Sequence, residues 1–271
     1  MKKILIPIFL IFFSQNGFSQ AIDSVTTLVT YDFLYSTDST SRQLKNDDIL
    51  NLEIGSSWSK CYSVYRQIRD SILLGQFNEQ QLSGATRYSV NLAGFSKSGI
   101  TAKIFKRIRD DKFTIIDRLG MSRYIIYDTT ATEMIWKLTT DTQTIKKYLC
   151  IKATTRFRGR NYEAWFTNQI PISCGPLKFG GLPGLILSLK DDQDNFNFQC
   201  RSISVLTKKK PLIMEKEDYV QVSRKEFRRL YRFMVENPDA FIASQGVVVS
   251  NVRCEGCPPP VKQTFNPIEL K

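Results

Sequence analysis

Short apolar runs rich in β-branched and aromatic residues follow one another along most of the chain. Runs of this length and composition predict β-strands, and turn-forming residues separate several of them. Because the strands are closely spaced without alternating helices, they indicate an antiparallel meander. The predicted strands span residues 25–35, 49–54, 102–108, 113–117, 124–128, 134–138, 145–157, 162–166, 185–189 and 196–204.

Apolar residues at helical spacing predict two helices, so the expected fold class is α+β. The second helix is marked by a capping box at Ser223 and Glu226, with Val222 able to pack against Phe227. Its apolar stripe comprises Phe227, Leu230, Tyr231, Met234 and Val235, and Pro238 helps to end it. The first helix is predicted over residues 61–74, with a stripe of Tyr62, Tyr65, Ile68 and Ile72. The polar stretch that follows, residues 76–99, predicts a long loop or insertion.

The start of the chain predicts an export signal. Two lysines precede an unbroken apolar run at residues 4–13, and residues 17–19 offer the small-x-small pattern of a cleavage site. An apolar run of that length cannot cross the roughly 30 Å hydrocarbon core of a membrane, so no transmembrane span is expected in the mature chain. The sequence therefore predicts a signal peptide over residues 1–19 and a single domain over residues 20–271, located in the periplasm, at the outer envelope or outside the cell.

Composition removes several classes of chemistry. The 271 residues include no histidine, which excludes Ser-His-Asp and Cys-His nucleophiles and histidine-ligated metals. No cofactor and no metal site is predicted, because Asp191, Asp192 and Asp194 lack the EF-hand glycine and distal glutamate and indicate a hairpin turn instead.

The net charge points to acidic partners. Lys and Arg number 38 against 26 Asp and Glu, which gives a formal charge of +12. Nucleic acid is not expected as a partner, because no recognised nucleic-acid motif is present. In the envelope, anionic glycolipids or acidic peptides are the expected targets of such a charge, and colloidal solubility is the alternative explanation.

The six cysteines are Cys61, Cys150, Cys174, Cys200, Cys254 and Cys257. An even number of cysteines in an exported protein predicts up to three disulfides, and only Cys254 and Cys257 are close enough in sequence to suggest a local one. Three prolines follow Cys257 at once, which blocks the helix start that activates the thiol of a redox CxxC motif. A structural disulfide is therefore preferred to thiol exchange at this pair.

The most distinctive segment contains the block Gly181-Leu182-Pro183-Gly184-Leu185-Ile186. Its glycines permit positive φ angles or close backbone approach, and its proline fixes a turn before an apolar run. The block predicts a rigid corner that leads into a buried central strand, and the alternative is an amide-lined site for an anion or peptide. It is not a P-loop, because the G-K-[ST] sequence is absent.

This block resembles the GLPGLI family of exported envelope proteins, which is named for these six residues. The stretches that also resemble the family are Tyr31-Asp32-Phe33, residues 150–153, Ala164-Trp165-Phe166, Ile170-Pro171-Ile172 and residues 266–270. The resemblance implies a strongly curved antiparallel sheet, bowl-like or a half-open barrel, with a few helices. It also relates the chain to an accessory domain of some secreted glycan-processing enzymes, without their catalytic part. It implies no established activity and no catalytic residues.

Three arginines near the block are candidates for ligand binding. Arg156, Arg158 and Arg160 surround a predicted hairpin turn, with Trp165 nearby. Their spacing would place them on one face of an extended strand. A row of guanidinium groups beside aromatic rings could bind a carboxylate, a phosphate or a sugar, and a solvated strand face is the alternative.

Together these features favour an exported, non-catalytic protein whose concave sheet binds a peptide, a glycan or an envelope protein. The three arginines and Trp165 are the candidate binding residues, and Gly181, Pro183 and Gly184 determine the shape. An alternative is a glycan-processing hydrolase, which requires two carboxyl groups about 5–9.5 Å apart in one cleft, one of them with a raised pKa. Thiol-disulfide exchange at Cys254 and Cys257 is a third hypothesis.

Overall fold

The computed structural model describes residues 21–37, 45–84, 89, 97–110, 112–129, 134–245 and 265–269. The described residues form an α+β fold of one twelve-stranded sheet with three helices. The strands are β1 (Ala21–Tyr35), β2 (Asn46–Ile54), β3 (Trp58–Ser63), β4 (Lys103–Arg107), β5 (Lys112–Leu119), β6 (Ser122–Asp128), β7 (Lys137–Ile145), β8 (Tyr148–Phe157), β9 (Arg160–Thr167), β10 (Leu185–Asp191), β11 (Phe196–Ile213) and β12 (Val220–Gln221). The helices are α1 (Val64–Leu82), α2 (Arg224–Glu236) and α3 (Pro238–Ser244).

The strands follow the order β12-β6-β5-β4-β3-β2-β1-β11-β10-β9-β8-β7. Every neighbouring pair is antiparallel except β12 with β6, which confirms the predicted meander. The long strand β1 pairs with β2 on one side and β11 on the other, so it joins two meanders into one sheet. The sheet is open, because β12 and β7 remain at its two edges among the described residues.

Period-two alternation gives the sheet a core on each face. Val29, Tyr31 and Phe33 of β1 face the larger core, where the Phe33 ring stacks on Phe198 at 4.2 Å between centroids. Part of this core is covered by residues 168–184, from which the Phe179 ring meets Tyr162 edge-on at 4.7 Å. A smaller core consists of Val25, Phe105, Ile116 and Leu212, and because Phe105 and Ile116 adjoin Ile104 and Ile115 of the larger core in sequence, β4 and β5 bury side chains on both faces.

The predicted second helix is confirmed as α2. The Ser223 hydroxyl accepts a hydrogen bond from the Glu226 amide at 3.1 Å, as a capping box requires. Val222 and Phe227 pack against the same core, and the Phe227 ring meets Tyr124 edge-on at 5.6 Å. Pro238 not only ends the run but also begins α3, which the sequence did not predict, because a proline is tolerated at the first position of a helix.

The predicted first helix is displaced toward the C-terminus. Residues 61–63 belong to β3, where Cys61 pairs with Leu52 and Ile104, and α1 begins only at Val64. The helix continues to Leu82, so the first part of the predicted loop 76–99 is helical. The prediction failed because the buried side chains of a short strand happen to precede the helix at a spacing that also fits a helical stripe.

Some strand boundaries also differ. The predicted strand 145–157 contains a hairpin turn, because β7 ends at Ile145 and β8 begins at Tyr148, with Lys146 at φ +58° between them. The predicted strand 134–138 overlaps β7 only from Lys137 onward. β3 and β12 were not predicted.

Four cysteines lie in the described part of the chain, and all four are buried free thiols. The expectation of up to three disulfides is therefore wrong for Cys61, Cys150, Cys174 and Cys200. The Cys61 sulfur instead accepts a hydrogen bond from the Leu177 amide at 3.3 Å, and burial raises the pKa of its thiol to about 12. The predicted pair Cys254 and Cys257 and the predicted signal peptide lie outside the described residues.

Candidate functional site

A cleft of about 690 Å³ opens on the face of the sheet that carries the larger core. Its walls come from α1, α2, residues 99–102 and the C-terminal segment Phe265–Glu269. Its floor consists of sheet side chains that are also part of the core, namely Phe33, Ile104, Ile115, Ile126 and Phe196. A volume of this size is typical of small-molecule sites.

A buried carboxylate fixes one wall of the cleft. Asp48 accepts hydrogen bonds from the Ser63 hydroxyl at 2.7 Å and from the Ile100 amide at 2.9 Å. Ser63 also caps α1 by accepting from the Arg66 amide at 3.0 Å. A Cβ on Gly99, where φ is +64°, would lie 2.0 Å from the Ser63 hydroxyl, so the loop approaches the helix this closely only with glycine.

Asp117 is a half-buried carboxylate in the cleft. It accepts hydrogen bonds from the Thr101 hydroxyl at 2.5 Å and from the Arg118 amide at 2.7 Å. Burial raises the pKa of Asp117 to about 6, although these two hydrogen bonds and nearby Arg66 act in the opposite direction. The side chain is therefore close to half protonated in mildly acidic solution.

Cationic side chains outnumber carboxylates around the cleft. Among the described residues that line it, the cations are Arg66, Arg69, Arg118, Lys178, Arg224 and Arg228, and the carboxylates are Asp117 and Glu269. Glu269 forms ion pairs with Lys178 and, at 3.4 Å, with Arg224. Arg66 pairs with Asp70 at 3.0 Å. The buried Nε of Arg69, in contrast, has no hydrogen-bond partner in the described part of the chain.

The three predicted arginines do not share a face. Arg158 and Gly159, both at positive φ, form the turn between β8 and β9. The register pairs Phe157 with Arg160 and Arg156 with Asn161, so the side chain of Arg156 lies on the opposite face from that of Arg160. The shared-face prediction was wrong because the turn lies inside the stretch that it treated as one strand.

Arg158 and Arg160 are buried and bind carboxylates of this same chain. The Arg158 guanidinium donates two hydrogen bonds of 3.0 Å to Asp128 and one of 2.5 Å to Glu269. Arg160 donates to Asp191 at 3.2 Å. The sequence analysis expected these guanidinium groups to suit the carboxylate of a ligand. In the structure, carboxylates of the protein itself bind both Arg158 and Arg160.

The same two arginines hold the segment Phe265–Glu269, referred to here as the tail. Arg160 donates to the Pro267 carbonyl at 3.0 Å and to the Asn266 side-chain oxygen at 2.5 Å. The Tyr162 hydroxyl donates to the Ile268 carbonyl at 2.6 Å. These contacts explain how the tail becomes one wall of the cleft.

Arg156 and Trp165 lie on the face of β8 and β9 away from the tail. The Trp165 indole donates to Glu163 at 3.2 Å, and the Lys152 ammonium lies 5.9 Å from the ring centroid. Arg156 is exposed and, with Trp136, borders a second groove of about 760 Å³. The structure therefore separates the four predicted binding residues into two that hold the tail and two on another surface.

The block Gly181–Ile186 forms a packed corner. Leu182, Leu185 and Ile186 are buried, whereas Pro183 is exposed. A Cβ on Gly184 would lie 2.1 Å from the Thr167 carbonyl oxygen, which leaves no space for any other residue.

Backbone amides of this corner are used internally. The Gly181 amide donates to the Ser173 hydroxyl at 3.0 Å, and the Leu185 and Ile186 amides donate to the Ile170 and Cys174 carbonyls at 3.0 Å each. Their engagement favours the structural role of the block over an amide-lined site for an anion.

The turn after β10 also has internal partners. Asp191 is buried and accepts from the Phe196 amide at 2.8 Å, and residues 192–195 form the predicted hairpin turn. Within the described residues, no group of three or more Cys, Asp or Glu side chains is arranged to hold a metal ion, and no helix is long and apolar enough to cross a membrane.

Comparison with known proteins supports the family resemblance. A family model described as "Protein of unknown function (Porph_ging)" matches residues 157–188, which contain the turn, β9, the corner and the start of β10. This match agrees with the resemblance of the same segment to the GLPGLI family. No curated protein matches the sequence significantly.

Two solved structures of PNGF-II are similar to this protein. The C2 crystal form has 13% sequence identity and a TM-score of 0.51, and the match covers 76% of this chain and 32% of that chain. The P21 crystal form has the same identity and coverage with a TM-score of 0.49. This chain thus spans about a third of the PNGF-II chain, and at such low identity the likeness concerns the fold alone.

Sequence reasoning missed the residues of the cleft. They come from separate elements and form no motif, so only the fold brings them together. One signal was available, because Asp117 occupies a position where the alternation Phe113, Ile115, Leu119 predicts an apolar residue. A carboxylate on an otherwise apolar strand face indicates a functional or specially paired position.

Proposed function

We propose that this protein is an exported, non-catalytic binding protein of the cell envelope. Its sheet curves around the cleft and holds a peptide, a glycan or another envelope component there. The observation that carries the proposal is an apolar floor bordered by cations, one of which has a buried donor with no partner among the residues that the structure describes. Clefts with an apolar lining and a few polar groups are typical ligand sites.

Export is part of the proposal. The predicted signal peptide over residues 1–19 and the family resemblance support a mature chain of residues 20–271 in the periplasm, at the outer envelope or in the medium. N-terminal sequencing of the protein recovered from each cell fraction tests this. A mature N-terminus at Gln20 is expected, and an intact Met1 in the cytoplasmic fraction would contradict export.

Two neighbouring leucines of α1 allow a matched test of the cleft. Leu73 lines the cleft and is half-buried, whereas Leu74 is 60% exposed and does not line it. We expect the variant Leu73→Glu to lose a molecule that co-purifies from envelope extract with the wild type. Leu74→Glu should retain it, because it adds the same charge outside the cleft. Equal recovery with both variants would place the binding site elsewhere.

Arg156 and Trp165 remain candidate binding residues on the second surface. Arg156 is exposed and lines the adjoining groove, and Trp165 is half-buried on the same face, which supports a role separate from that of the cleft. The same extract, applied to Arg156→Ala and Trp165→Ala, separates the two surfaces, because a molecule bound in the cleft should be retained by both variants.

A carboxylate-dependent hydrolase is the second candidate, and Asp117 favours it. Asp117 and Glu269 line one cleft, and their pKa values are shifted in opposite directions. Burial raises the pKa of Asp117, whereas Lys178 and Arg158 outweigh burial and lower that of Glu269. Such separation is a pattern of acid and base pairs. Turnover of a glycan substrate that Asp117→Asn abolishes would support hydrolysis and contradict the binding role.

The third hypothesis, thiol exchange, concerns Cys254 and Cys257. It predicts that replacing both with Ser abolishes disulfide exchange with a model thiol substrate. Unchanged behaviour of the double variant, with both thiols oxidised in the wild type, would eliminate it.

A further inference from the structure

We propose that the ligand of the cleft is a single-chain anionic amphiphile, an acyl chain that ends in a carboxylate or a phosphate. Its head group contacts Arg69 and Arg118, and its chain lies on the apolar floor. This inference rests on the proposed function, because it names the ligand class of the same site.

The pairing of charges decides where the head group lies. At the tail, Arg158, Lys178 and Arg224 each already form an ion pair with Glu269. At the α1 and β5 side of the cleft, Arg69 has a buried Nε without a hydrogen-bond partner in the described residues. An external anion therefore gains most at Arg69, because a buried donor without an acceptor is costly.

The arginines on this side of the cleft are also crowded. Burial and the neighbouring charges of Arg66 and Arg123 lower the pKa of Arg118, against the opposing effects of Asp70 and Glu217. With Arg69 and Asp117, this side of the cleft thus has four guanidinium groups and three carboxylates. One further negative charge would balance this group, and planar guanidinium groups bind carboxylates and phosphates with two hydrogen bonds.

The floor determines the rest of the ligand. Ile104, Ile115 and Ile126 lie side by side on β4, β5 and β6, and each is less than a tenth exposed. These aliphatic side chains provide a surface for methylene groups, for which burial contributes about 0.8 kcal/mol each. The aromatic rings of the floor, Phe33 and Phe196, extend this apolar surface.

An acidic peptide fits the same surface less well. A peptide in extended form carries backbone donors and acceptors that need partners, usually from the edge of a sheet. The cleft lies over the face of β4, β5 and β6, whose backbone groups already pair with neighbouring strands. An acyl chain makes no such demand.

The test is titration calorimetry of the mature protein with defined probes below their micelle concentrations. The probes are dodecanoate, dodecyl phosphate, dodecanol, acetate and an acidic hexapeptide. We expect dodecanoate or dodecyl phosphate to bind at least tenfold more tightly than dodecanol, and acetate not to bind. The two anionic probes distinguish a fatty-acid head from a phosphate head.

Two pairs of variants locate the ligand. Arg69→Met should lower the affinity for the anionic probe at least tenfold and leave the affinity for dodecanol unchanged, because it removes the charge but keeps an unbranched side chain. Arg229→Met, at an exposed arginine of α2 outside the cleft, should change neither affinity. Leu73→Glu should weaken the binding of all three dodecyl probes, whereas Leu74→Glu should leave their binding unchanged. Circular dichroism confirms that each variant is folded.

Failure of this inference is distinguishable from failure of the proposed function. Equal affinity for dodecanol and dodecanoate would overturn the head-group site. Binding of the hexapeptide that Leu73→Glu abolishes, with no binding of either anionic probe, would overturn the ligand class but leave a binding protein. If no probe binds, and no envelope molecule requires Leu73 for its recovery with the protein, both this inference and the proposed function are overturned.

Discussion

Two parts of this protein concentrate arginines, and they differ in how those charges are paired. Around the GLPGLI corner, Arg158 and Arg160 are buried with carboxylates and with carbonyls of the tail. In the cleft, the buried Nε of Arg69 has no partner among the described residues, and Asp117 has a raised pKa. The first arrangement stabilises the fold, and the second is where we propose that a ligand binds. The proposal thus separates structural from binding arginines by their pairing rather than by residue type.

The largest effect is expected at the corner itself. Gly184→Val places side-chain atoms where a Cβ already lies 2.1 Å from the Thr167 carbonyl oxygen, so we expect loss of soluble, folded protein. Gly75→Ala is the control, because a Cβ there meets nothing within 4 Å and alanine favours the helix by about 1 kcal/mol. Expression yield and thermal melting measure both. A Gly184→Val protein that melts like the wild type would show that the corner is not essential for the fold.

The next largest effect on stability is expected when a buried guanidinium group is removed. Arg158→Met leaves the carboxylates of Asp128 and Glu269 without their main cation, and we expect the free energy of unfolding to fall by about 3–5 kcal/mol. Arg156→Met, two residues earlier but exposed on the other face, should stay within about 0.5 kcal/mol of the wild type.

Chemical denaturation of these two variants sharpens the comparison between paired and unpaired arginines. Equal stability of Arg158→Met and Arg156→Met would mean that the buried ion pairs contribute nothing to the fold. Destabilisation of Arg156→Met by several kcal/mol would mean that its exposed face is a structural surface.

A smaller effect is expected at Asp117. Since its pKa is raised in the folded state, its contribution to stability is full below about pH 4 and is lost as the pH rises through about 6. Asp117→Asn removes this loss, so the variant should be more stable than the wild type at pH 7.5, by at most about 3 kcal/mol.

Unfolding of Asp117→Asn at pH 4 and at pH 7.5 checks that expectation. The difference in the free energy of unfolding between the variant and the wild type should be larger at pH 7.5 than at pH 4. Thr101→Val is a useful companion, because it removes a hydrogen bond that lowers the pKa of Asp117 and should move the transition to higher pH. A wild type whose stability rises between pH 4 and 6 as strongly as that of Asp117→Asn would contradict the raised pKa.

The elements with local signals were predictable from the sequence. Most strands were found from their apolar runs, and α2 was placed by the capping box at Ser223, because a cap depends on residues only three positions apart. The boundary between β3 and α1 was missed because Tyr62, which is buried in β3, continues the helical spacing of Tyr65, Ile68 and Ile72 in α1. Here tertiary contacts decide where the strand ends and the helix begins.

The site was less predictable because its contacts are long-range. Arg158 and Glu269 are 111 positions apart, and nothing in the local sequence indicates that the arginine's carboxylate is internal. Arg69 and Asp117 likewise come from different elements and line one cleft only in the folded protein. The family motif indicated the corner, where glycine and packing dominate, but gave no indication of Arg69 or Asp117.

Hydrogen exchange of the mature protein with and without dodecanoate tests the central claim most directly. The account predicts that the ligand slows exchange in residues 97–102, in β5 and in α1, which surround Arg69 and Asp117, and leaves the exposed face around Arg156 unchanged. Slowed exchange confined to β8 and β9 around Arg156 and Trp165, with none in the cleft, would contradict it.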